Sequence, residues 1–259
     1  MALNMKVVIL AGGFGTRIQE ETQVIPKPMI EIGGKPILWH IMKRYTKYGF
    51  KEFVIALGYK SNLIKQYFMN FHVMNSDFEV NLSNGEIKFF DSEMQDIKVT
   101  LIDTGLDTKT GGRIKKLSKY ICNQKFFLTY GDGLSNINIS ELLNYHNENN
   151  KILTMSVVRP PARFGILETN NSNLITKFEE KPQLNSDWIN GGFFVAEPNF
   201  LEYCLGDEEM LEKEPIQRVL NINELCAYKH KGFWKCMDNM RDKNDLEFMY
   251  KKGYHPWLD

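Results

Sequence analysis

The sequence predicts an α/β fold: a Rossmann-like, doubly wound, mostly parallel mixed sheet, with small antiparallel additions in its second half. Three observations predict it. Short apolar runs rich in β-branched or aromatic residues, such as Lys6-Val7-Val8-Ile9-Leu10 and Phe126-Phe127-Leu128-Thr129-Tyr130, read as buried strands. Stretches with apolar residues at helical spacing separate them, and strands that alternate with helices imply a parallel sheet covered on both faces. The first run feeds directly into a glycine-rich loop, Gly12-Gly13-Phe14-Gly15, where such sheets present the carboxyl ends of their strands to a ligand.

The elements follow in chain order. Pro36 suits a first helical turn, Ile37, Leu38, Ile41, Met42 and Tyr45 recur at helical spacing, and Gly49 ends that helix. Residues 53–57 form the second strand. Ser61 suits the cap of a helix carrying Leu63, Ile64, Tyr67 and Phe68. Asn84-Gly85 marks a hairpin turn, within a stretch from 75 to 98 that carries no motif. A strand over 99–102, a helix over 112–120 and the buried strand over 126–130 come next, followed by a helix over Leu142, Leu143 and Tyr145 capped by Ser140. The second half changes character. A strand over 153–158 is broken by Arg159-Pro160-Pro161. Short strands over 165–168 and 174–178 flank the turn Asn170-Asn171-Ser172-Asn173 and are expected to cover one side of the sheet. Pro215 opens a helix through Ile216, Val219 and Leu220, and a final helix over 246–250 is packed by Leu246, Phe248 and Met249. With no repeat, low-complexity segment or linker, the 259 residues read as one domain, its halves meeting near 135/136.

Composition removes several function classes. The formal net charge is zero, so no general basic field invites nucleic acid. No apolar run is long enough for a membrane span, and the first residues contain no signal-peptide core, which makes the cytoplasm the expected compartment. Cys122, Cys204, Cys226 and Cys236 are scattered without a Cys-x-x-Cys pair, the pattern of reduced thiols rather than a structural zinc site.

The glycine-rich loop carries the chemistry. A loop of glycines lets the backbone bend tightly and turn successive N–H groups onto an anion. Arg17 adds a planar donor fork, and ten residues later Lys27 adds a point charge stiffened between Pro26 and Pro28. Two familiar phosphate motifs do not fit: no Gly-Lys-Ser/Thr follows, and Ile18 stands where a dinucleotide fingerprint needs its third glycine. A strand and turn with spare glycines is the plain alternative; the coincidence with Arg17 and the flanked lysine favours a polyphosphate. Asp132 follows the strand over 126–130 between Gly131 and Gly133, so its carboxylate points toward the crevice unless it is an ordinary turn aspartate. Lys181 ends an apolar strand with a fixed exit direction; its plain alternative is a surface charge run. Asp238 alone is a weak signal.

Leu10-Ala11-Gly12-Gly13-Phe14-Gly15-Thr16-Arg17 followed by Pro26-Lys27-Pro28 resembles the signature of the sugar-1-phosphate nucleotidylyltransferases. The likeness continues through the run from Met29 to Met42 and at Thr110-Gly111-Gly112-Arg113, Tyr130-Gly131-Asp132-Gly133, Glu179-Glu180-Lys181-Pro182, Asn190-Gly191-Gly192-Phe193-Phe194 and Phe233-Trp234 through Asp238. Within the family it resembles the branch that uses CTP and glucose 1-phosphate. The resemblance implies a nucleotide-diphospho-sugar transferase fold, a nucleotide-binding first half and a sugar-phosphate-binding second half. It also implies Mg²⁺ as cofactor, transfer of a cytidylyl group to make CDP-glucose for surface-polysaccharide synthesis, and a homo-oligomer. By the same resemblance the residues from Leu10 through Arg17 (Leu10, Ala11, Gly12, Gly13, Phe14, Gly15, Thr16), with Lys27 and Gly131, hold the nucleotide. Thr108, Thr110 and Arg113 read the base, Arg113 donating to the cytosine carbonyl and ring nitrogen. Arg17, Lys27 and Asp132 act in catalysis, Asp132 and Asp238 hold the metal, and Glu180, Lys181, Asn190 and Gly191 take the sugar phosphate. Another acceptor, or UTP or dTTP, keeps the same chemistry. An inactive nucleotide-sensing subunit is a reading of another class, which the full charge set argues against, and an NAD-dependent oxidoreductase fails at the missing glycine.

Overall fold

Alternation along a single strand sets the architecture. In Lys6–Leu10 (β1), Val7 and Ile9 enter one apolar cluster while Val8 and Leu10 enter another, so the strand is buried on both faces. The computed structural model describes residues 5–90, 96–121, 123–160, 165–180 and 188–259. In it β1 lies inside a seven-stranded sheet with Glu52–Leu57 (β2), Lys98–Asp103 (β3), Phe126–Tyr130 (β4), Leu153–Val158 (β5), Ile189–Ala196 (β6) and Leu225–Lys229 (β7). The order across the sheet is β7-β5-β6-β4-β1-β2-β3. β1 pairs in parallel with β2 and β4, placing Val8 between Val54 and Leu128. β6 runs antiparallel to both its neighbours, which makes the sheet mixed.

Helices cover both faces. On one, Ile37–Thr46 (α1) and Ser61–Met69 (α2) set Ile37, Ile41, Tyr45 and Ile64 against Val7, Ile9 and Phe127. The Tyr45 and Phe50 rings lie 5.4 and 4.6 Å from that of Phe127. On the other, Ile114 of Thr110–Lys116 (α3) and Val219 of Glu214–Asn221 (α5) pack on Val8, Leu10 and Leu128. Ile139–Asn149 (α4) and Met240–Lys251 (α6) are two further helices. Each fully buried large apolar side chain contributes about 1.5–3 kcal/mol.

Several local expectations are corrected. Pro36 sits before α1 in extended backbone, ψ 144°, paired with Glu31 in a two-residue ladder. Lys60, with φ 49°, enters α2 in place of a Ser61 cap, and the Ser61 hydroxyl faces Asp103. The helix expected over 112–120 breaks at Leu117 and resumes as a short turn over Ser118–Ile121. Asn138, not Ser140, caps α4, its side chain accepting from the Glu141 N–H at 3.1 Å. α6 starts earlier than its apolar residues signal because Asn239 caps it, and Phe248 points outward, 62% exposed. The Asn84-Gly85 hairpin forms between Phe78–Val80 and Ile87–Phe89. The second hairpin, Ile166–Thr169 with Ile175–Glu179, forms a separate two-stranded sheet whose residues are all exposed, so these strands do not cover the main sheet.

Candidate active site

The strand ends and the glycine loop enclose a cleft of about 630 Å³. The loop is anchored from below: Ala11 N–H donates to the Ala56 carbonyl and Tyr59 N–H to the Gly12 carbonyl, 2.9 and 3.1 Å. Gly15 turns the chain at φ 66°, where a side chain would be strained and would also meet Thr22. The residues from Leu10 to Arg17, Lys27, Thr108, Thr110, Arg113, Gly131, Asp132, Asn190, Gly191 and Asp238 all line the cleft. Most of the residues named from sequence are therefore brought together.

A short antiparallel ribbon places the two aspartates. Gly133–Ser135 pairs with Trp234–Cys236, Cys236 opposite Gly133, and the Met237 N–H donates to the Asp132 carbonyl at 2.9 Å. Asp132 and Asp238, distant in sequence, thus flank the same end of one ribbon. Lys27 Nζ lies between them, 2.6 Å from Asp132 Oδ2 and 2.9 Å from Asp238 Oδ1. Arg17, exposed at the rim, donates to Asp238 Oδ2 at 2.6 Å. Burial disfavours the Lys27 charge, but Asp132, Cys236 and Asp238 together, Asp132 foremost, outweigh it and hold the ammonium above the ordinary lysine value. Burial likewise opposes the Asp238 charge, and the hydrogen bond and charge of Lys27 together with the charge of Arg17 override it, leaving that carboxyl below its ordinary value. Cys236 Sγ joins the two carboxylates, and one ligating atom from each of the three lies within 4.8 Å of the others. Burial pushes the Cys236 thiol up, with Asp132 adding to the effect.

That donor set fits a divalent cation. An ammonium already bridges both carboxylates, so the cavity between them accepts positive charge, and hard carboxylate oxygens are ligands that Mg²⁺ takes.

Arg113 is placed otherwise than expected. It is 4% exposed, and its two terminal nitrogens make five hydrogen bonds: to the carbonyls of Leu57, Gly105, Gly12 and Leu106 and to the Thr104 hydroxyl. These donors are spent on the framework of the loop, not directed at a base. Thr108 is similarly engaged, donating to the Thr104 carbonyl and accepting from Lys116. Thr110 donates to Glu212 at 3.0 Å and accepts from the Leu211 N–H at 2.7 Å.

Asn190 and Gly191 lie at the start of β6. The Asn190 amide donates to the Tyr130 hydroxyl at 3.3 Å and its carbonyl accepts from the Gly192 N–H at 2.8 Å. The Trp234 indole N–H donates to the Gly191 carbonyl at 2.7 Å, joining the ribbon to the sheet. Glu180, at the foot of the exposed hairpin, does not line the cleft, because that hairpin stands apart from the sheet. Lys181 lies outside the described residues.

Sequence reasoning missed Glu212. Its carboxylate accepts from the Tyr130 hydroxyl at 2.6 Å as well as from Thr110, bridging the two sides of the cleft. Nothing local marks it, since the segment Asp207-Glu208-Glu209 through Glu214 reads as a solvated acidic face. Arg218 holds Glu209 of the same segment down to about 2, pinning it to α5.

The profile of the family described as Nucleotidyl transferase matches residues 6–251, nearly the whole chain. The chain belongs to the nucleotidyl transferase family. Among individual relatives, this nucleotidyl transferase is 43% identical to the glucose-1-phosphate cytidylyltransferase of Salmonella typhimurium over 254 residues, 98% of each chain. It is 30% identical to the D-glycero-alpha-D-manno-heptose 1-phosphate guanylyltransferase of Campylobacter jejuni, across 81% of this chain and 84% of that one. The solved structure of a UDP-glucose pyrophosphorylase complexed with UDP-glucose superposes with a TM-score of 0.69 over 97% of this chain and 100% of the other, at 16% identity, a likeness of fold.

Proposed function

We propose that this nucleotidyl transferase joins CTP and α-D-glucose 1-phosphate into CDP-glucose with release of pyrophosphate, in the cytoplasm, for dideoxy-sugar or O-antigen-type surface polysaccharide synthesis. The observation that carries the reading is the Lys27–Asp132–Asp238–Arg17 cluster at the mouth of the glycine loop, in a chain 43% identical to a named cytidylyltransferase.

A phosphate oxygen of the sugar phosphate attacks the α-phosphorus, and the bond to the bridging oxygen breaks, releasing pyrophosphate. The nucleophile is already an anion, so no general base is required; catalysis is positioning and charge stabilisation. The loop N–H groups from Gly12 to Thr16 cradle the triphosphate. Arg17 and Lys27, paired in the resting site with aspartates, transfer their donors to phosphate oxygens once the nucleotide arrives. Asp132 and Asp238 would hold Mg²⁺, which supplies charge neutralisation across the phosphates. Arg113 fixes the base pocket from beneath through the carbonyls of Gly12, Gly105 and Leu106, while the chain from Leu106 to Thr110 walls it. Asn190 and Gly191, with Lys181, take the sugar phosphate, the amide suiting a sugar hydroxyl and Lys181 the phosphate.

Two exposed hairpins support self-association. Phe78, Val80, Ile87 and Phe89 on one, and Leu167, Ile175 and Phe178 on the other, leave apolar side chains at least 40% exposed. No helix among the described residues is long and apolar enough to cross a membrane.

The decisive experiment measures pyrophosphate release with Mg²⁺, crossing CTP, UTP, dTTP, ATP and GTP against several sugar 1-phosphates. Release confined to CTP with glucose 1-phosphate is expected. Release with CTP and a different acceptor would redirect the sugar half. No release by folded protein that still binds nucleotide would point to a sensing subunit.

A further inference from the structure

Cys236 belongs to the cation site by position as well as by proximity. Trp234 and Cys236 are alternate residues of one strand, the spacing that sends side chains to the same face, Asp238 follows two residues beyond its end, and all three line the cleft. Ligating atoms of Asp132, Cys236 and Asp238 lie within 4.8 Å of one another, close enough that a small inward shift of the side chains sets all three around one ion with bonds of about 2.0–2.3 Å. The Lys27 ammonium between the carboxylates shows, independently of the sulfur, that the space holds a cation. Two carboxylate oxygens alone make a hard site; adding sulfur changes which metals it prefers.

We propose that Cys236 Sγ is a third protein ligand of the divalent-cation site, making it a mixed oxygen–sulfur centre that takes thiophilic ions, Co²⁺, Zn²⁺ and Cd²⁺, in competition with Mg²⁺. This rests on the reading of Asp132 and Asp238 as metal ligands. On binding, a metal–sulfur bond forms, the Sγ proton passes to solvent, and no electron is transferred. Lys27 leaves the carboxylates for the triphosphate as the ion enters. The consequence is a chain whose metal preference is set by a residue that takes no part in phosphoryl transfer.

The test is CoCl₂ titration of the whole protein with a non-hydrolysable CTP analogue, followed by the near-ultraviolet charge-transfer absorption of cobalt-bound sulfur. Wild type is expected to develop the band, and Cys236→Ser, Cys236→Ala and Asp132→Asn each to lose it while keeping the wild-type circular dichroism. Displacement of bound Mn²⁺ by Cd²⁺, read from water proton relaxation, should need more Cd²⁺ in Cys236→Ser than in wild type. Saturable, Asp132-dependent Mn²⁺ binding without a cobalt band in wild type would overturn the sulfur ligand and leave the aspartate site standing. A band that survives Asp132→Asn would place the sulfur elsewhere and overturn the proposal. Absence of any Asp132-dependent binding would remove the metal reading and the proposal together.

Discussion

In the resting site Lys27 Nζ holds two carboxylates at once, which couples the site to pH from both directions. Asp238, held below its ordinary 3.8, contributes stability that is fully present above that value and is lost as pH falls through the lower folded one. Lys27, held above its ordinary 10.5, contributes stability that is fully present below that value and is lost as pH rises through the higher folded one. Urea midpoints should therefore show the pair's contribution between these limits, and the difference between wild type and Asp238→Asn should shrink in acid. A difference that persists far below pH 3.8 would contradict the pairing. Asp132→Asn is expected to abolish metal-dependent turnover with the fold retained, and wild-type activity at ordinary metal concentration would remove Asp132 from the ligand set. At Gly12 the constraint is steric. A Cβ there would stand 2.2 Å from Arg113 Nη1, and the guanidinium is held by its carbonyl partners and has nowhere to yield. Gly12→Ala should cost about 1–3 kcal/mol by overpacking, read from the denaturant midpoint, and should raise the KM for nucleotide.

The ribbon of Gly133–Ser135 and Trp234–Cys236 is the element that assembles the site, and Trp234 ties it to β6. Trp234→Phe keeps the ring and deletes the indole N–H, leaving the Gly191 carbonyl without that donor. The expected loss is about 0.5–1.5 kcal/mol, with the KM for sugar phosphate rising more than that for CTP; equal changes in both would separate the ribbon from the sugar subsite. The strands of the sheet were legible because each is a short apolar run whose two faces are both buried: β1, β4 and β5 fall where the sequence puts them. Helix starts were less so, since a cap is a competition among nearby polar residues. Asn138 won over Ser140 because its side chain reaches the Glu141 N–H, a geometry no spacing rule resolves. At the site, Arg17, Lys27 and Asp132 announced themselves through flanking glycines and prolines. Arg113 did not announce its partners, because backbone carbonyls leave no mark in a sequence, and Glu212 was hidden in an acidic run.

At the scale of the whole molecule the unexplained surface is the pair of exposed hairpins. Leu82, 91% exposed, and the apolar strands beside it need cover that the described residues do not supply. If copies of the chain provide it, Phe89→Asp together with Leu82→Asp should shift sedimentation toward the monomer while sparing the cleft, which neither residue lines. An unchanged sedimentation coefficient would exclude this hairpin as the contact.

The insertion of β6 between β4 and β5 bears on how the chain is made. Until Ala196 leaves the ribosome, β4 has no neighbour on that flank and offers a bare row of peptide groups. The stretch bearing the glycine loop is therefore not self-sufficient as it emerges, although its own strands are contiguous. Translation must run some sixty residues past β4 before the edge is sealed. During that interval the nascent chain is a client for any factor that shields strand edges, and a stalled or truncated product ending before Ile189 should be the aggregating species.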